Sequence, residues 1–174
     1  RTYNSAELYQ QLYRGELDVA FTLLDLPTKD VISEQIYREP RVVLRRESEP
    51  CEQHGVISLK ELDLGKEIFF IGDVQFNNWY KNWKGKHGYP TIQVDTAQLL
   101  TAFMQQEGAW TLVPLCIARA LFKTGNYSYY YLKEKPPERV CYRIQPKHSM
   151  RDATEVLSIF DRYLELLSKS IFSK

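Results

Sequence analysis

The chain has no apolar run near the ~18 residues needed to cross a bilayer. It opens Arg1-Thr2-Tyr3-Asn4, without the apolar core of a secretory signal. It has only three cysteines, Cys51, Cys116 and Cys141, far apart and with no CxxC pair. That excludes a zinc ribbon or a thioredoxin-like motif, both of which need closely spaced thiols. An odd number of distant cysteines suits a reducing cytoplasm, which is the expected location. Cys116 and Cys141 sit in apolar surroundings and are expected in the core. Charge of one sign is also lacking. The 23 Lys and Arg against 22 Asp and Glu leave a net charge of +1, too balanced for this chain to bind DNA or an acidic membrane by itself. The blocks Arg45-Arg46 and Lys133-Glu134-Lys135 are short and read as solvated surface. There is no G-x-S-x-G elbow, HExxH, P-loop or G-x-G-x-x-G. His54, His87 and His148 lie far apart and form no ligand pair. No cofactor and no metal are expected, and nothing points to an enzyme, although Asp and Glu are plentiful.

What the sequence does contain is alternation. Ser5 is placed to cap a short helix carrying Leu8 and Leu12, with Gly15 at its end. Asp18 to Leu24 reads as a buried strand, Ile32 to Ile36 as extended, and Arg41 to Arg46 as another strand around Val42-Val43-Leu44. Ser58 with Glu61 at the N3 position predicts a capped helical turn. Glu67 to Ile71 is a short apolar strand, and Phe76 to His87 an aromatic-rich helix stopping before Gly88-Tyr89-Pro90. Thr91 to Val94 follows as a strand. Thr96 to Glu107 is then a helix with Leu99, Leu100, Phe103 and Met104 on its apolar face, ended by Gly108. Trp110 to Val113 is a strand, and Pro114 begins a helix at N1. Tyr127 to Leu132 and Val140 to Gln145 are further strands. Ser149 to Asp152 opens a last helix whose apolar face repeats through Val156, Leu157, Phe160, Leu164 and Leu167. Strands alternating with helices predict an α/β protein with a mostly parallel sheet, which binds ligands beyond the carboxyl ends of its strands.

Four stretches resemble one family. Leu12-Tyr13-Arg14-Gly15-Glu16-Leu17-Asp18-Val19-Ala20 resembles the "L..G.LD.A" signature of the regulatory domains of LysR-type transcription regulators. Tyr37 to Leu44 resembles the strand that first crosses between their lobes, and Ile57-Ser58-Leu59-Lys60-Glu61-Leu62 their "vsl.dL" helix. Leu100 to Pro114 is similar to "lV..G.GialLP", with Ala109-Trp110-Thr111 departing from the usual second glycine and small residues. The resemblance implies a two-lobed, type 2 periplasmic-binding-protein-like α/β fold. Residues 1–44 and 138–174 would form lobe I and residues 45–137 lobe II. The crossings would be Val42-Val43-Leu44 and Val140 to Ile144. It implies a small-molecule effector in the interlobe cleft and a homodimer or higher homo-oligomer. DNA would be bound only through an N-terminal helix-turn-helix that is not in these residues. The first strand and helix of lobe I, and most of its second strand, are expected to be missing too, leaving the Asp18 to Leu24 strand with an open apolar edge. A transport-type solute-binding protein and a prephenate dehydratase-like enzyme are the competing readings.

The candidate ligand residues follow from the rule that such sites use strand ends and helix N-termini, where free N–H groups and a partial positive charge suit a carboxylate. They are Phe21 and Thr22 at the end of one strand, and Gly72, Asp73, Gln75 and Phe76 between strand and helix. Asp95 and Thr96 stand at a second such junction. Asp73 and Asp95 can equally serve only as helix caps. Arg45 and Arg46 could bind a carboxylate but read more simply as surface.

Overall fold

The structure is a computed structural model that describes residues 4–26, 28–51, 55–85, 90–147 and 154–172; in the last helix, side chains are described for 157–166. His54, His87, His148 and the Ser149 to Asp152 cap lie outside the described residues. The chain divides into two compact units, one of residues 1–38 and 140–174, the other of residues 39–139.

In the first unit, α1 (Ser5–Tyr13) is capped by Asn4, one residue before the expected Ser5, whose place is inside the helix. The Asn4 side chain accepts the Glu7 amide at 2.9 Å. The helix ends in a Schellman motif: Gly15 takes φ +67°, its amide bonds Leu12 O and that of Glu16 bonds Gln11 O. Three strands form the sheet, β1 (Ala20–Thr22), β2 (Val31–Glu39) and β9 (Arg139–Pro146), in the order β1-β9-β2. β1 is shorter than expected and pairs antiparallel with β9, Ala20 facing Ile144. Side chains alternate across a sheet. Ala20, Ile144 and Tyr142 therefore pack with Leu8, Tyr9 and Leu12 of α1. Phe21 and Arg143 meet α5 (Thr154–Phe172) instead, through Phe160 at 5.2 Å between ring centroids and an ion pair with Asp161.

The second unit is built on β3 (Arg41–Arg46). It lies between β7 (Trp110–Pro114) and β8 (Tyr127–Leu132), antiparallel to both, and β4 (Val56–Ile57) adds to β8 in parallel. The expected mostly parallel sheet is thus corrected: β3 is paired antiparallel on both edges. Parallel pairing appears in β4 with β8 and in the separate pair β5 (Ile68–Phe70) and β6 (Ile92–Val94). Val42, Val43 and Leu44 are fully buried because β3 is covered on both faces, and the two compact units divide at Arg38/Glu39 and Arg139/Val140. Val42 and Leu44 join one core with Val94, Leu100, Met104, Val113 and Ala118, the last from α4 (Leu115–Phe122). Val43 joins the other with Leu59, Leu62, Trp110 and Leu112, and with Phe76 and Tyr80 of α2 (Val74–Lys84).

The Ser58 cap is as expected, a full capping box on a 3₁₀ turn, Leu59–Glu61. The helix expected over Thr96 to Glu107 is only α3, Ala97–Phe103. Leu100 and Met104 are buried, but Leu99 and Phe103 are 46% and 49% exposed, so the apolar face is narrower than the sequence suggested. Pro114 ends β7 and stands at the N-cap of α4, one position before N1. Cys141 is buried as expected, Cys116 only partly, and Cys51 is exposed. No helix among the described residues is long and apolar enough to cross a membrane.

Candidate functional site

Strands β5 and β6 run side by side, with Phe70 opposite Val94, and the Ile71 amide extends the pairing to Val94 O at 2.8 Å. Beyond their carboxyl ends both chains turn into helices, β5 through Ile71-Gly72-Asp73 into α2 and β6 through Asp95-Thr96 into α3. Two helices therefore start from adjacent strand ends in the second unit, α2 packing into the core around Val43 and α3 into the core around Val42 and Leu44. Asp73 caps α2, its Oδ1 accepting the Phe76 amide at 2.9 Å. Thr96, not Asp95, caps α3, its Oγ1 accepting the Leu99 amide at 3.3 Å. Asn77 fastens Gly72 from both sides, accepting its amide at 3.1 Å and donating to its carbonyl at 2.9 Å. These caps use the N3 amides. The N1 and N2 amides of α2, on Val74 and Gln75, have no acceptor within a helix.

Of the eight candidate residues, the structure gathers Gly72, Asp73, Gln75, Phe76, Asp95 and Thr96 at this strand end and places Phe21 and Thr22 in the other unit. Gln75, Asp95 and Thr96 are exposed, as are the apolar side chains of Ile71 and Val74. Phe76 is a core residue: its ring is fully buried among Phe69, Trp79 and Tyr80, at 6.2, 5.9 and 6.3 Å. Thr22 is buried, with its Oγ1 accepting the Leu24 amide at 3.1 Å.

Beneath α2 lies a group of charges that the sequence did not reveal. Arg41, the first residue of β3, forms an ion pair with Asp73, and its guanidinium lies 4.2 Å from the centre of the Phe76 ring. Burial holds the Arg41 pKa below its usual value, opposed by Asp73; Arg139 lowers it further and Glu39 raises it. Glu39 in turn pairs with Arg139 at 2.5 Å and accepts the Cys116 amide at 2.8 Å. That carboxylate thus supplies the cap that Pro114 cannot give α4. Arg139 also donates to Cys116 Sγ at 3.2 Å. The Cys116 thiol is pushed up by burial and by Glu39, with Arg139 opposing. The only sequence signal was a pair of charges, Glu39 and Arg41, directly ahead of the apolar run Val42-Val43-Leu44. Arg45 and Arg46, considered above, are surface groups: Arg45 pairs with Glu47 at 3.6 Å, and Arg46 lies over Tyr127 at 5.3 Å. Among the described residues no three His, Cys, Asp or Glu side chains are grouped to hold a metal.

The class is the type 2 periplasmic-binding-protein-like α/β fold. The sequence profile of the LysR substrate binding domain matches residues 1–158, and the chain belongs to that family. It is therefore an effector-binding domain of the LysR type, and the family match leaves the transporter and dehydratase readings unsupported. No curated protein sequence matches. Among solved structures, the regulatory domain of MexT, a transcriptional activator in Pseudomonas aeruginosa, is 16% identical with a TM-score of 0.69, over 99% of this chain and 83% of that one. The BenM effector binding domain with its effector benzoate is 20% identical with a TM-score of 0.66, over 99% and 79%. Full-length CbnR complexed with its target DNA is 14% identical with a TM-score of 0.65, over 94% and 57%, so this chain spans little more than half of such a regulator.

Proposed function

We propose that the second unit receives a small anionic effector at Ile71–Phe76 and Asp95–Thr96, and that occupancy controls transcription by a LysR-type regulator. The observation that carries this is that α2 and α3 both start just beyond the carboxyl ends of the adjacent strands β5 and β6. Outward N–H groups of α2 suit a carboxylate, and the Gln75 carboxamide and Thr96 hydroxyl add uncharged donors. Exposed Ile71 and Val74 give an apolar rim for the body of the molecule. BenM binds benzoate, an anion with an apolar ring, which makes benzoate the first probe. Phe21 and Thr22 remain candidates in the first unit; the Thr22 hydroxyl accepts the Leu24 amide and, like that of Thr96, keeps its proton to donate. The role is binding rather than catalysis. DNA contact belongs to a helix-turn-helix elsewhere in the regulator, and a homo-oligomer is expected.

Calorimetric titration with benzoate and a panel of small carboxylates tests this. Gln75→Ala and Thr96→Val should each weaken the bound carboxylate about tenfold, the loss of one hydrogen bond to a charged group. Unchanged affinity in both variants would remove these residues from the site.

A further inference from the structure

Asp73 serves two partners at once. Oδ1 holds the Phe76 amide, and Oδ2 takes the Arg41 guanidinium. Arg41 comes from a strand fixed on both edges and is only 3% exposed. Its guanidinium lies against the Phe76 ring. A Cβ added at Gly72 would stand 2.5 Å from the Phe76 ring and 3.3 Å from Arg41 Nη1. The β5–α2 loop is thus stacked directly on the Arg41 side chain, and only glycine fits at position 72. The charged groups facing Arg41 are Asp73, Glu39 and Arg139. Electrostatics give this arrangement a second consequence. An uncompensated Asp73 carboxylate would repel any anion approaching the Val74 and Gln75 amides, and a buried cation beside it cancels that repulsion.

We propose that Arg41 is a positioning residue for the ligand site. It holds the Ile71–Phe76 loop in its receiving geometry and neutralises Asp73, so that the start of α2 accepts an anion. The second half rests on the ligand reading given above; the first half does not. Both ionic partners act through the loop, and Arg41 itself touches no ligand.

Arg41→Met and the double variant Arg41→Met/Asp73→Asn separate the two halves, since Asn also caps helices but carries no charge. Hydrogen exchange comes first. In Arg41→Met the Gly72, Phe76 and Asn77 amides should exchange about tenfold faster, with Leu100 and Tyr129 unchanged. Benzoate and its neutral analogue benzamide are then titrated. Arg41→Met should bind benzoate about tenfold more weakly and benzamide only about twofold more weakly, the latter through the loosened loop alone, and the double variant should reduce the benzoate loss to that of benzamide. A general loss of fold would weaken both probes alike. Unchanged exchange over 71–77, or a rise spread evenly through the unit, overturns the proposal. So does an equal loss of benzoate and benzamide. If the parent chain takes up no benzoate, local exchange in Arg41→Met still establishes the positioning role, and the ligand reading alone fails. If Arg41→Met does not fold, Arg41→Lys replaces it: the charge is kept but the flat stack on Phe76 is lost, and faster exchange confined to 72–77 is again the expected result.

Discussion

Replacing Lys84 with methionine is expected to destabilise the fold by about 3–5 kcal/mol in urea unfolding. Lysine near a helix end would ordinarily be solvated. Here Lys84, the last residue of α2, pairs with Glu67, and the two side chains are only 6% and 2% exposed. Glu67 also accepts the Tyr80 hydroxyl at 2.5 Å, which together with burial pushes the Tyr80 phenol well above its usual value. Without Lys84 the carboxylate is left in an apolar core with one neutral donor. The second variant, Glu67→Leu/Lys84→Met, removes both charges and should regain most of the loss, because desolvating the pair offsets much of its attraction. A single-variant cost under about 1 kcal/mol would mean that the pair is solvated and loosely held.

Glu39→Leu should cost about 3 kcal/mol and, unlike Lys84→Met, should change a chemical reactivity. Glu39 is buried, so its loss takes a carboxylate from Arg139 and an acceptor from the Cys116 amide together. Burial and Glu39 raise the Cys116 thiol, while Arg139 lowers it. Removing Glu39 leaves the lowering influence in place, so the thiolate fraction at neutral pH rises and alkylation by iodoacetamide speeds up. Exposed Cys51 provides the internal reference in the same digest. In the parent chain Cys51 should react well before Cys116, and in Glu39→Leu the gap should narrow several-fold. An unchanged Cys116 rate in a variant that remains folded would contradict the assigned charge contact.

Local order was readable wherever one residue type has one physical use. Gly15 at a left-handed helix end, Ser58 with Glu61 in a capping box, and Asp73 before α2 all act as their chemistry requires. The short apolar strands around Phe69, Leu112 and Tyr129 were also visible from composition. Pairing direction was not, because alternation of strand and helix does not say which strands become neighbours, and β3 joins β7 and β8 from distant parts of the chain. Leu99 and Phe103 misled because periodicity marks an apolar stripe without stating how much of it is covered. At the candidate site the two strand–helix junctions were legible from sequence, but their adjacency was not. Arg41 was hidden for a plainer reason. An arginine in a strand is ordinarily surface, and it is partners distant in sequence, Asp73 32 residues away and the Phe76 ring, that make a buried one stable.

The most direct measurement is an NMR titration of the nitrogen-labelled chain with benzoate and then with other small carboxylates. A saturable shift of the Gly72 to Phe76 and Thr96 to Leu99 amides, with α5 and β8 unmoved, is the predicted result. Saturable shifts confined to other elements, or no saturable shift with any carboxylate, would contradict an anionic effector site at the ends of β5 and β6.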